Sequence, residues 1–377
     1  MRIILRIISF LFMIPATAFC ISDAARVSVL TFEPGNEYYT IFGHTAIRIS
    51  DKSLNLDRVY NFGTFNFNTP YFYLKFLKGS LFYYLAVDDF EYCLAHWLAD
   101  HRKVYEQELD MNGYEKQRIF QRLEKCYHSE DRYYRYDFLY DNCATRVRDA
   151  VFLSVEDADR YDTVQYCNRS FRQLLKPYMA ESYWVDLGVN LAMGKEADKI
   201  AESWHTMFLP DYIMFTLENS KIGKEKRILL DGPVAEKHRI NMSWIMPWVI
   251  AVSLVLLSFY ARIQKVILYS LLAFVGFNGL FILTVSLISE NSGFINNLNV
   301  IWTIPSLLVL FLRPVHLNDY IKLMYSAFLI LIMAFWKVLP QALSVSFLPW
   351  ILLLLILLVL DLRFVRERFG IVRNAPE

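Results

Sequence analysis

Apolar and polar positions alternate with a period of two in the part of the chain that follows residue 20. Residues 27–32 alternate in an apolar context, 44–50 place Ile47 and Ile49 on one face, and 58–65 and 80–87 read as further strands. The polar, turn-rich stretch 51–57 links the second and third of these as a hairpin. Further on the period lengthens. In 114–127, Ile119, Leu123 and Cys126 fall at i, i+4 and i+7, the spacing of one helix face, and 90–102 and 197–209 read as helices of the same kind. Strands first and helices after predict an α+β domain rather than an alternating βαβ one. No internal repeat is visible.

Near residue 240 the pattern changes again. Uncharged runs occupy 240–261, 266–289, 291–312, 323–336 and 338–360. A spanning helix needs about 20 apolar residues. Four of the runs meet this length, and 323–336 reaches it when Lys322 and Lys337 extend their ammonium groups toward the interfaces. Pro340 and Gln341 separate the last two runs. The region therefore reads as an all-α bundle of about five transmembrane helices, with Trp244, Trp248, Trp302, Trp336 and Trp350 suited to interface positions. No acidic or histidine side chain stands at the centre of a run, so the bundle reads as an anchor or lipid-facing platform rather than a transport pathway.

Charge sets the expected orientation. Arg2 and Arg6 precede a short apolar core and the small residues Ala16-Thr17-Ala18, the layout of a secretory signal. Phe19 before Cys20 argues against a lipidated Cys20, since a lipoprotein signal wants a small residue there. Residues 240–377 hold nine Lys/Arg and five Asp/Glu. Arg262, Lys265, Arg313, Lys322 and the arginines at 363, 366, 368 and 373 follow the first, third and fifth runs, whereas only Lys337 follows the second or fourth. With five crossings, that bias places the C-terminus in the cytoplasm and the first domain outside, in agreement with the signal. The expected organisation is a signal peptide at 1–20, an exported domain at 21–240, a membrane region at 241–362 and a cytoplasmic tail at 363–377.

Composition narrows the function classes. The chain of 377 residues is 55% hydrophobic and 20% charged, with a net charge of +1, so it is neither disordered nor built around a basic field for nucleic acid. The exported part holds Cys93, Cys126, Cys143 and Cys167, with no C-x-x-C pair to suggest zinc or a thioredoxin motif. An oxidising compartment then predicts one or two disulfides. His96 and His101 stand five apart, a poor metal spacing, so no metal site is expected. His128 and His238 read as surface residues, and His205 sits near a helix end.

The most informative stretch is 141–151, DNCATRVRDAV. Asn142 is a good N-cap, and Ala144, Val147 and Val151 form a helical apolar stripe. Cys143 then falls in the first turn, where unpaired amides and the helix dipole favour a thiolate and can receive an oxyanion. His44, after Gly43 at the start of a predicted strand, is the preferred base for such a thiol. On residue types alone a buried structural cysteine is the favoured reading, and a satisfied core or surface histidine is the bland alternative for His44.

The stretches Gly43-His44-Thr45-Ala46-Ile47-Arg48 and Asp141-Asn142-Cys143-Ala144-Thr145-Arg146-Val147-Arg148, with Tyr60-Asn61-Phe62-Gly63-Thr64-Phe65, resemble the Lnb N-terminal periplasmic domain family over roughly residues 25–235. The membrane tail fits that family's layout. The order of His on a strand and then Cys at a helix start is also similar to the permuted papain-like group that includes lecithin:retinol acyltransferase. The resemblance implies an enzyme of the bacterial inner membrane with a periplasmic, permuted papain-like domain. It would move an acyl chain from a phospholipid, through a thioester on Cys143, to the N-terminal amine of a lipoprotein, without a cofactor. His44 would be the base. A polar residue on the next strand would orient it: Asn61 is chosen, with Thr64 and Asn66 as competitors because a one-residue register change swaps the faces. Arg48, Arg146 and Arg148 would meet a phosphate headgroup, or else pair with Asp141 or Asp149. The rival functions are a papain-like cell-wall peptidase or amidase and a non-enzymatic envelope module with Cys143 in a disulfide.

Overall fold

The computed structural model describes residues 20–35, 37, 39–160, 168–232, 242–306, 319–362 and 365. The expected signal peptide up to residue 19, Cys167, His238, Arg313, the arginines from 363 onward and the C-terminal tail lie outside the described residues.

The first part is built on one antiparallel sheet. Its strands are β1 (Arg26–Phe32), β2 (His44–Asp51), β3 (Leu56–Thr64), β4 (Phe82–Asp89), β5 (Val104–Glu108), β6 (Tyr133–Arg135) and β7 (Arg227–Leu230), in the order β6-β4-β3-β2-β1-β5-β7. The period of two decides which side each residue takes. Val27, Val29, Ile47, Ile49 and Tyr60 pack on one face with Ile119, Leu123, Ala144 and Val147. These last four come from helices α3 (Gly113–Tyr127) and α4 (Cys143–Phe152), which follow α1 (Phe72–Lys78) and α2 (Phe90–Ala99) in the chain. Leu30, Phe32, Ala46 and Val59 turn to the opposite face, under Leu94 and Trp97 of α2. Burying a large side chain this way contributes roughly 1.5–3 kcal/mol before chain entropy is counted.

Two expectations about the helices change. The single helix expected over 197–209 is broken: Lys195–Asp198 is a 3-10 turn, and only Ser203–Thr206 (α7) is helical beyond it. Between them the backbone is already paired, since Phe171 N–H donates to Lys199 O (3.2 Å) and Ala201 N–H donates to Arg169 O (2.9 Å). These bonds tie the segment to the start of α5 (Phe171–Met179) and exclude a helix there. Next to α5 stands α6 (Tyr183–Ala192), and α8 (Pro210–Glu218) follows α7.

The second part contains α9 (Met242–Leu257), α10 (Ala261–Ile288), α11 (Val300–Thr303), α12 (Asp319–Ala334) and α13 (Leu348–Leu360), gathered around Leu268, Leu272, Leu329, Phe347 and Leu354. Among the described residues, Ile263–Ile288 is the one helix long and apolar enough to cross a membrane; Met242–Leu257 and Val345–Leu360 are apolar but shorter. The run expected at 291–312 does not begin as a helix. Asparagine side chains compete for backbone partners there. Asn291 Oδ1 accepts from Gly293 N–H at 3.0 Å, and Asn297 Nδ2 donates to Leu191 O and Ala192 O at 2.8 and 2.9 Å. Lys322 also departs from expectation. It turns inward to Asp361 (2.8 Å) and Asp319 (3.1 Å) instead of reaching outward.

The loop 289–299 lies against the first part. Ser292 N–H and Oγ donate to the Asp137 carboxylate (2.7 and 2.8 Å), Gly194 N–H donates to Gly293 O (2.9 Å), and Arg135 pairs with Glu290. Helix α6 joins the two parts along its length. Leu187 and Leu191 pack on the apolar helices, whereas Val185 and Val189 pack with Leu174, Phe208 and Leu209 of the first part.

Candidate active site

Three elements converge at one end of the sheet. Strand β2 starts at His44, directly after Gly43 in the left-handed region (φ 77°), where a Cβ would stand 2.8 Å from Phe32 O. Strand β3 brings Asn61 alongside, and its pairing with β4 shifts register between Asn61 and Thr64. Helix α4 starts at Cys143 because Asn142 caps it. Asn142 Oδ1 accepts from Thr145 N–H (3.0 Å), and Thr145 Oγ1 accepts from Asn142 N–H (2.8 Å). The Asn142 amide also donates to Phe138 O (2.8 Å) and Phe208 O (3.0 Å), which locks the start of the helix in place.

His44 Nε2 lies 2.7 Å from Asn61 Oδ1. An amide oxygen only accepts, so Nε2 carries the proton and Nδ1 keeps its lone pair. Thr64 instead donates to Asn61 O (3.5 Å), and Asn66 Oδ1 accepts from Asn68 N–H (2.9 Å). Gly63 (φ 91°) marks where Cys143 and His44 approach: a Cβ there would sit 3.1 Å from Cys143 Cβ, 4.0 Å from its Sγ and 3.5 Å from His44 Cε1.

The electrostatics differ from the first-turn expectation. Burial pushes the Cys143 thiol up to about 11, even though the N–H groups of Thr45, Ala144 and Cys143 hydrogen-bond the sulfur and Arg102 adds positive potential. Burial also holds His44 down to about 4; the Asn61 hydrogen bond opposes this and Arg102 reinforces it. The resting pair is therefore neutral thiol and neutral imidazole near pH 7. Alkylation of resting Cys143 by iodoacetamide at pH 7 should run roughly 100-fold slower than for an ordinary cysteine, and climb about tenfold per pH unit toward pH 11. Mass spectrometry of the labelled peptide across pH checks this. A plateau below pH 8 would instead mean a thiolate–imidazolium pair.

Cys143 and His44 stand at a cavity of about 360 Å³. Its walls are mainly apolar: Phe42, Phe65 and Phe138 from the first part, Val189 and Ala192 from α6, and Phe294 from the loop 289–299.

Residues 16–170 match the model of the Lnb N-terminal periplasmic domain, and residues 239–368 match that of the Lnb transmembrane domain. The two stretches together span well over half of the chain. The chain belongs to the Lnb family. No curated protein and no solved structure matches it. Family membership makes this a membrane-anchored envelope protein with a periplasmic domain.

The three arginines expected at a headgroup occupy other places in this Lnb protein, and none lines the cavity. Arg48 lies on the α2 face of the sheet, paired with Asp57 (2.6 Å) and Glu106 (3.3 Å), with its guanidinium 3.3 Å from the centre of the Phe90 ring. Arg146 pairs with Asp141 (2.5 Å), and Arg148 pairs with Asp149 (2.7 Å) and donates to Trp204 O (3.2 Å). The cation that does act on the pair is Arg102, which the sequence reading passed over. It is half-buried, donates to Glu33 O (3.0 and 2.7 Å), and has no carboxylate ion pair among the described residues. No local motif announces it, because its hydrogen-bond partner Glu33 lies 69 positions away in the chain.

Tyr83 and Tyr136 were also passed over. Their rings stack at 4.3 Å in the cavity wall, and burial pushes both phenols upward, an effect that ionisation of Cys143 would reinforce. His205 stays outside the cavity, 3.6 Å from Glu202. The expected disulfides are absent among the described residues: Cys20, Cys93, Cys126 and Cys143 are free thiols. The sheet separates Cys93, packed on the α2 face, from Cys126 and Cys143 on the other.

Proposed function

We propose that this Lnb protein is a thiol acyltransferase, which moves an acyl chain from a phospholipid to the N-terminal amine of a lipoprotein. The observation that carries this reading is the meeting of Cys143, the Asn61-held His44 and an apolar cavity walled by both the periplasmic domain and the membrane part. His on the second strand and Cys on a later helix support a permuted papain-like assignment for residues 21–240. The loop 289–299 against the periplasmic domain supports placing that loop outside, with five helices over 241–362 and the tail at 363–377 in the cytoplasm. The membrane is then the bacterial inner membrane.

In the first half-reaction, His44 Nδ1 takes the thiol proton as Cys143 Sγ bonds to the ester carbonyl carbon. The N–H groups of Cys143 and Ala144 stabilise the oxyanion; such donors are each worth roughly 10²–10³ in rate. The C–O bond then breaks, the lysophospholipid oxygen takes the proton from His44, and the acyl thioester remains. In the second half-reaction the lipoprotein amine attacks the thioester carbonyl and its proton passes to Nδ1. Collapse of that intermediate breaks the C–S bond and the thiol regains its proton. Every proton is carried by one imidazole, so no cofactor enters. An imidazole held down to about 4 stays unprotonated and able to accept across the neutral range, but against a thiol held up to about 11 the transfer runs uphill, so it is completed only as Sγ bonds to the carbonyl carbon.

Purified full-length protein given acyl-labelled phospholipid should acquire a hydroxylamine-sensitive label on Cys143, and the label should pass to a diacylated lipopeptide amine. Cleavage of cell-wall peptides with no label ever taken from phospholipid would instead establish the peptidase reading.

A further inference from the structure

Helix α6 contains one glycine, Gly188, and nothing in the fold requires it. Glycine inside a helix costs about 1 kcal/mol relative to alanine. A Cβ built on Gly188 meets no heavy atom within 4 Å, whereas one on Gly194, just beyond the helix, would collide with Ile295 O. Its backbone is ordinary, since the glycines with positive φ are Gly43, Gly63 and Gly79 among the described residues. Gly188 lines the cavity at Cys143 together with Val189 and Ala192, while Leu187 and Leu191 turn to the membrane helices. Gly188 is itself exposed, so the open space over it lies at the mouth of the cavity.

We propose that Gly188 is a specificity-determining residue: the acyl chain carried on Cys143 lies along α6 over Gly188, and the missing side chain sets how long a chain is accepted. This rests on the acyl-enzyme reading. The cavity, at about 360 Å³, lies near the lower end of the roughly 300–1,000 Å³ typical of ligand sites, which suits one chain with the rest of the donor outside. A Cβ added at position 188 would stand at the mouth of that cavity with no protein atom within 4 Å.

The test uses full-length protein in detergent with octanoyl, lauroyl and palmitoyl phosphatidylethanolamines as separate probes. The mass and rate of the Cys143 adduct are read for the wild type, Gly188→Ala and Gly188→Leu. Palmitoyl loading relative to octanoyl loading should fall at least about tenfold in Gly188→Leu and by less in Gly188→Ala, the scale on which apolar pockets discriminate chain size. Thermal melting of both variants should be no lower than wild type. Wild-type chain preference in both variants, or equal loss of all three adducts, would overturn the role of Gly188 while leaving the acyl-enzyme intact. A wild-type protein that takes no acyl group from any of the three overturns the acyl-enzyme reading and this proposal with it.

Discussion

Cys143→Ala should leave the protein in the membrane and folded, yet abolish acyl transfer, with lipoprotein amines remaining free. Cys143→Ser should be nearly as inactive, falling by at least about a thousandfold, because a hydroxyl demands a stronger base than an imidazole held down to about 4. His44→Ala should fall to a similar level, and the double variant little further, since groups that act as a unit are not additive. Asn61→Ala removes only the 2.7 Å hold on Nε2, so its loss should be smaller. Mass spectrometry of lipoprotein N-termini in cells carrying each variant reads all five. Residual transfer in Cys143→Ala within tenfold of wild type would sink the covalent mechanism.

Gly63→Ala is the second large effect. Position 63 has φ 91°, where a side chain is strained, and the new methyl would stand 3.1 Å from Cys143 Cβ and 3.5 Å from His44 Cε1. The backbone penalty is roughly 1–3 kcal/mol. The larger consequence is that Cys143 must give way by a few tenths of an ångström beside His44; a full 1 Å misplacement costs about 100-fold in rate, so a loss of roughly tenfold is expected. Gly79→Ala is the matched control. It has φ 74° and a more crowded Cβ, 2.7 Å from Asn291 N, but it lies outside the cavity. Both variants should lose stability in denaturant unfolding, and only Gly63→Ala should lose most of its acyl transfer. Equal activity losses would remove the spacer role of Gly63.

The parts of this fold that were legible in the sequence are those written locally. Strands β1 to β4 carry their faces in the alternation itself, and the cap of α4 is spelled out in Asn142 and Thr145. Strand β5 was hidden because Glu106 and Gln107 are buried in it, Glu106 beside Arg48 and Arg227, so its pattern does not look like that of a strand. Asn61 could not be separated from Thr64 and Asn66 by alternation, because the register shift between Asn61 and Thr64 interrupts the period at that point. The thiol shows the general limit. Helix position is a local property and was readable, whereas burial depends on the whole fold and here outweighs the local amides. The loop 289–299 was read as the start of a span by counting apolar residues. Its asparagines, which hold it to α6, count as uncharged in such a tally.

The shared wall formed by α6 and Phe294 bears on how such a protein can be taken apart. A water-soluble fragment ending near residue 240 would present Leu187 and Leu191 to solvent and leave the cavity without Phe294. A chimaera joining this periplasmic domain to the membrane region of another Lnb protein would import part of a foreign binding site along with the anchor. The smallest portable unit of this architecture is the pair of regions together, and substitutions on either side of α6 are expected to be inherited as matched sets.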